Sequence, residues 1–162
     1  MIIYHGSTIP VEAPKIMISE RKLDFGDGFY TMSNQEQAII WAKIVAVRRN
    51  IATQILSIYE FDLDKAQNEL TILKFDEPNE AWLGFVCANR SGQGISDKYD
   101  MAFGPVADDK VYVVIQFYEN GVYDKDETIK RLKVDKLYNQ ILFHTEKSLE
   151  YCRFKDYEEM GG

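Results

Sequence analysis

The sequence predicts an α+β domain. Two observations carry this. Apolar segments with strand-like alternation interleave with segments of helical spacing, and the interleaving is irregular. No regular strand–helix alternation runs along the chain, which argues against a doubly wound parallel sheet. A third observation sets the domain count. The 162 residues suit one domain, and 46% hydrophobic with 13% aromatic residues supply a core large enough to exclude disorder. Neither a repeat nor a linker interrupts the chain, so residues 1–162 are read as one unit.

Residues 1–5 form an apolar, β-type start that ends in His5, Gly6 and Ser7, and Pro10 and Pro14 punctuate the loop after it. Residues 24–33, DFGDGFYTMS, read as a glycine turn entering a short strand. Ser33 or Asn34 can cap the next helix, in which Ala38, Trp41, Ala42, Val45 and Ala46 recur at helical spacing until Asn50. Residues 54–62, QILSIYEFD, alternate as a strand does. A helix is expected from about Glu77 to Asn89, with Trp82, Phe85 and Val86 inward, and then a loop from Ser91 to Asp97. Tyr99 to Val106 is expected as a short strand broken by Gly104-Pro105. Asp108 or Asp109 can cap a helix through Val111, Val114, Ile115 and Tyr118, although β-branched content also permits a strand there. Asn120-Gly121 ends that element. Asp126 to Leu132 reads as a short helix, Asn139 to His144 as a strand, and Glu146 to Phe154 as a closing helix. Trp41, Trp82, Phe85 and Phe143 fall on apolar faces and are expected in the core.

The formal net charge is -7, so the overall field does not steer the chain toward nucleic acid or an anionic membrane. Two local groups of basic residues stand out, Lys43, Arg48 and Arg49, and Lys130, Arg131 and Lys133; on helices such groups are usually a solvated face. No signal-peptide pattern opens the sequence, and no stretch approaches the roughly 18 apolar residues of a membrane span. Cys87 and Cys152 do not make a disulfide framework, so a reduced, cytoplasmic setting is expected.

The common chemical motifs are missing. The sequence has no GxxxxGK[ST] phosphate loop and no GxGxxG after a strand, and two histidines without HExxH or CxxC argue against a zinc site. A cysteine nucleophile would need His5 or His144 beside it as a base. What remains is polar residues at strand ends: His5, Tyr30 after the glycine turn, and Gln140 opening a late strand. Each also has a plain structural reading, as a turn cap, a half-buried aromatic and an edge residue.

Five segments in order, YHGS, DFGDGFYT, the Gln37–Ala42 stretch QA..WA, YDMAFGPVADD and NQILFHTEKSL, resemble a bacterial domain-of-unknown-function family placed in the ADP-ribosyltransferase superfamily. The likeness spans most of residues 3–154. It implies two small antiparallel sheets around a cleft that binds NAD, flanked by helices, with a His-Tyr-Glu type of site. His5 matches the histidine expected to hydrogen-bond ribose hydroxyls. Gly6 would face the nicotinamide amide with its backbone, beside Ser7. Tyr30, after Gly28, matches the aromatic expected to stack on nicotinamide. The third position, glutamate in active members of the superfamily, falls on Gln140.

That departure has a chemical consequence. A carboxylate accepts a hydrogen bond from the ribose 2′-hydroxyl and stabilises positive charge as nicotinamide leaves. A glutamine keeps the hydrogen bond and loses the charge. Asp108 and Asp109 are the nearest acids in sequence for that role, and helix capping explains them equally well. The expected activity is therefore NAD binding and ADP-ribose transfer to a protein or nucleic-acid acceptor, in the manner of small toxins that are commonly paired with an antitoxin protein. The alternative is a non-catalytic module that binds NAD, a related nucleotide or a partner.

Overall fold

A computed structural model describes residues 1–17, 27–91, 98–105, 109–132 and 139–160. Its strands are β1 (Ile2–Ser7), β2 (Phe29–Met32), β3 (Gln54–Phe61), β4 (Ile72–Lys74), β5 (Met101–Pro105), β6 (Asn139–Phe143) and β7 (Cys152–Met160). Its helices are α1 (Gln35–Arg49), α2 (Leu63–Glu69), α3 (Glu80–Arg90), α4 (Asp109–Glu119), α5 (Lys125–Leu132) and α6 (Glu146–Leu149). The class is α+β, as the irregular interleaving predicts.

The strands form one seven-stranded sheet in the order β4-β5-β6-β2-β1-β3-β7, antiparallel except for the parallel pair β4–β5. The expectation of two separate sheets is thus corrected: the described strands are continuous. The continuity is thin at one place. β1 meets β2 only where Tyr4 faces Met32, whereas β1 pairs with β3 along its whole length. A three-stranded half (β1, β3, β7) and a four-stranded half (β2, β4, β5, β6) therefore join at a single residue pair. Beyond that pair β2 runs past the end of β1 that carries His5, Gly6 and Ser7 with no further residue pair in register, and the His5 side chain bridges the two strands instead.

Alternation places two cores on the sheet. Ile3, Phe29, Tyr59, Phe61, Met101, Phe103, Ile141 and Phe143 form one, closed by Ala66 and Leu70 at and just beyond α2. Ala102 and Leu142 form the other with Trp82, Leu83, Phe85 and Val86 of α3, Ile115 of α4 and Leu132 of α5. Asn34 caps α1 by accepting from the Gln37 N–H, and Asn50 ends it in the left-handed conformation. Ala38, Ala42 and Ala46 are the buried stripe of α1, and small residues there let the helix come down onto β1.

Several elements differ from the sequence expectation. The closing helix is only α6, and the chain then becomes β7, an edge strand paired with β3 along its length. Gly104-Pro105 does not break β5, which pairs through both residues with Gln140 and Asn139. Trp82, Phe85 and Phe143 are core residues, but Trp41 is half-buried, with the Arg48 guanidinium 5.3 Å from its ring centre. The loop expected over 91–97 lies, after Ser91, outside the described residues, as do Gly26 and Asp108.

Candidate functional site

The candidate residues lie on neighbouring strands where the two halves of the sheet part, but not on one face: the His5 ring is on the Phe29 side, and the Tyr30 and Gln140 side chains are on the Leu142 side. The His5 imidazole leaves β1 and its Nδ1 lies 2.7 Å from the Tyr30 carbonyl oxygen on β2. A carbonyl only accepts, so Nδ1 carries the proton and Nε2 presents a lone pair. Nδ1 to Tyr30 is the one hydrogen bond of His5 among the described residues. Burial pushes the His5 pKa below the usual histidine value, and the positive charge of Arg49 pushes the same way against the bond to Tyr30. His5 is therefore a neutral acceptor at neutral pH. Its ring packs 4.6 Å from that of Phe29.

The contact of His5 is with the backbone of the Tyr30 strand, not with the tyrosine ring. That ring packs toward the core of Leu142 and Trp82. Across β2–β6, Tyr30 faces Leu142 and Met32 faces Gln140. Tyr30 and Gln140 are thus diagonal neighbours on one face, a separation of roughly 7–8 Å that long side chains bridge.

Gln140 is 4% exposed. Its other strand neighbour is Gly104, which offers no side chain. Among the described residues no group bonds the Gln140 side-chain amide, and that amide is not among the fully enclosed, unpaired polar groups. The amide keeps access to solvent at its tip and presents one acceptor and two donors to whatever lies against it.

The glycines have packing roles. A Cβ on Gly6 would stand 2.4 Å from the Ala38 carbonyl oxygen and 2.8 Å from the Ala42 nitrogen, so α1 covers that α-carbon. A Cβ on Gly28 would stand 2.4 Å from the Phe143 carbonyl oxygen. Ser7 is buried and its hydroxyl donates to the Ile9 carbonyl at 2.6 Å. Asp109 opens α4, a few residues after Pro105 pairs with Asn139, whereas Asp108 lies outside the described residues.

Two residues escaped the sequence reading. His144 Nδ1 bonds the Asp27 carbonyl at 2.9 Å, so two histidines hold the backbone at both ends of the stretch 27–30. Asp100 fixes the turn that carries His144. It accepts from the Thr71 N–H and from the hydroxyls of Thr71 and Thr145, and its carbonyl accepts from the His144 N–H. Burial alone would raise the Asp100 pKa, but those hydrogen bonds and the charge of Lys147 hold it below the usual carboxylate value. In the sequence His144 stands out only as a base that a cysteine nucleophile would need. Cysteine chemistry finds no support at Cys152, whose thiol burial pushes up to about 12. Among the described residues no cluster of His, Cys, Asp and Glu could hold a metal ion, and no helix is long and apolar enough to cross a membrane.

Compared with known families, residues 1–154 match the model of a protein family of unknown function, DUF3990. The chain belongs to the DUF3990 family. The match takes in β1 through the first part of β7, and so every candidate residue of this DUF3990 domain. No curated protein and no solved structure matches the chain.

Proposed function

We propose that this DUF3990 protein binds NAD at the β1–β2–β6 junction and transfers ADP-ribose to a macromolecular acceptor. The observation that carries the reading is the His5–Tyr30 bond at the point where the sheet halves part. It joins segments 25 residues apart that the resemblance to ADP-ribosyltransferases assigns to one site, and Gln140 stands diagonally beyond on β6.

The donor set fits such a ligand. His5 offers a neutral acceptor suited to a ribose hydroxyl. Tyr30 offers a half-buried aromatic ring. Gln140 offers an amide that no described residue bonds, able to accept from a hydroxyl and donate to an oxygen. In the transfer reaction the glycosidic bond between nicotinamide and ribose breaks. The bonding pair leaves with nicotinamide, and a nucleophile of the acceptor forms the new bond to the ribose carbon. Gln140 supports the developing cation with its carbonyl dipole alone. Losing one preorganised charge of this kind typically costs about 10²–10³ in rate, so transfer is slow unless an acid such as Asp108 or Asp109 supplies what Gln140 lacks. A toxin with a cognate antitoxin protein is the biological setting this reading favours.

The neutral Gln140 favours a second reading, a module that binds NAD or a related nucleotide without turnover. Incubation with NAD labelled in the ADP-ribose moiety and a cell lysate separates the two. Label on a macromolecule supports transfer. Saturable binding without label transfer supports the module, and no binding removes both.

A further inference from the structure

The end of β1 carries hydrogen-bond donors that the protein does not use. Arg49, in the last turn of α1, reaches back to β1 and donates from Nη1 to the Thr8 hydroxyl oxygen at 3.1 Å. No carboxylate lies within ion-pair distance of Arg49 among the described residues. One of its five N–H donors is thus engaged, and the charge is uncompensated. Thr8 is 5% exposed. Its oxygen accepts from Arg49, which leaves its proton to donate, and no acceptor for that proton stands among the described residues. A buried hydroxyl with an idle proton beside a guanidinium with idle N–H groups is a donor set without an acceptor. Arg49 is not needed to close the helix, because the Asn50 N–H already bonds the Ala46 and Val47 carbonyls. In a chain of net charge -7, a positive site of this kind runs against the overall field. It also lies three residues beyond His5 on the same chain segment.

We propose that Arg49 and Thr8 form an anion subsite that takes a phosphate of a ligand whose ribose is held at His5. This rests on the reading that His5 belongs to an NAD site, and it adds where the pyrophosphate goes. It makes the site selective for phosphorylated ligands over the corresponding nucleoside. Arg49 serves better than lysine here, because its planar fork engages phosphate through two parallel bonds while a further N–H stays on Thr8.

The test is titration of NAD, ADP and nicotinamide riboside into the native protein and into Arg49→Gln and Thr8→Val variants at low ionic strength, with circular dichroism to confirm folding. Arg49→Gln is expected to weaken NAD and ADP roughly ten- to hundred-fold, the range for hydrogen bonds to a charged group. It should leave nicotinamide riboside within a few-fold. Added salt should weaken NAD binding to the native protein more than to the variant. ADP binding that is lost in Arg49→Gln while native protein ignores NAD would uphold the anion subsite and sink the NAD reading. Native-like binding of NAD and ADP by Arg49→Gln overturns the subsite and leaves the NAD reading standing. Equal loss of all three ligands assigns Arg49 a structural role and overturns the subsite, and native protein that binds none of them overturns both. Thr8→Val guards the result: it should reproduce part of the ADP loss, and unchanged ADP affinity there overturns the role of Thr8.

Discussion

The approach of α1 to β1 makes Gly6 the most demanding position beside the candidate site. An alanine Cβ there would meet the Ala38 carbonyl oxygen at 2.4 Å and the Ala42 nitrogen at 2.8 Å, against an ordinary contact of 3.4–4 Å. Both obstacles are backbone of a hydrogen-bonded helix, so no side chain can swing aside. The helix must retreat by about 1 Å and unpack Ala38 and Ala42. Overpacking of this sort costs about 1–3 kcal/mol, which for a domain of this size lowers Tm by roughly 3–10 °C. Gly84 is the control of opposite sign. It is an exposed residue inside α3 with nothing within 4 Å of a new Cβ, so Gly84→Ala should stabilise the protein by up to about 1 kcal/mol through helix propensity. Urea unfolding of the two variants beside the native protein gives both values as shifts in midpoint at constant slope. A Gly6→Ala protein as stable as the native one would refute the α1–β1 packing from which the site is built.

Two further predictions concern buried titratable groups. The folded-state pKa of His5 lies below its unfolded value of about 6.5, so the unfolded chain takes up the proton first. Its contribution to stability is full above that value and is lost as pH falls toward the folded pKa. Between pH 7 and pH 5 the native protein should therefore lose more stability than His5→Asn, measured by urea midpoints at the two pH values, and parallel losses would contradict a neutral, desolvated His5. Cys152, with its thiol at about 12, should resist a thiol reagent at pH 8 in the folded protein, while half-buried Cys87 reacts. Equal labelling of the two by mass spectrometry would mean that Cys152 is not enclosed by β7 and β3.

The legible parts of the fold are those with strong local signals. α1 shows its alanine stripe, its Asn34 cap and its Asn50 stop in the sequence itself, and all three operate in the structure. β3 alternates from Ser57 to Phe61 as read, although Ile55 and Leu56 are both buried because α1 covers one face and β7 runs alongside. β7 was illegible for a physical reason. As an exposed edge strand it buries only Cys152, so its period-two signal is faint and its first residues, Cys152 to Phe154, read as the end of a helix. Pairing with β3 decides its conformation instead. α2 and β4 are short, and their backbone is held by distant partners, as when the Tyr151 carbonyl accepts from the Asp62 N–H at the start of α2. Within the site, composition marked His5, Tyr30 and Gln140 as no more than polar strand ends. Their placement on neighbouring strands is a matter of topology, since β6 joins β2 only after more than a hundred residues. The backbone clamp of His144 had no separate signal, because a histidine that serves a carbonyl looks in sequence like any other.

On the proposed function, the β1–β2–β6 junction binds NAD and the neutral Gln140 limits its cleavage. The direct measurement is nicotinamide release from NAD by the native protein, Gln140→Glu and His5→Ala. The carboxylate of Gln140→Glu would be buried, so its own pKa should be raised and its benefit should grow with pH as it ionises. Slow release by the native protein is expected, with a gain of about 10²-fold in Gln140→Glu at NAD affinity within a few-fold, and NAD binding weaker by about 1–3 kcal/mol in His5→Ala. Loss of native activity in Gln140→Glu would mean that glutamine is the adapted catalytic group. Identical behaviour of all three proteins, without NAD binding, would contradict the account outright.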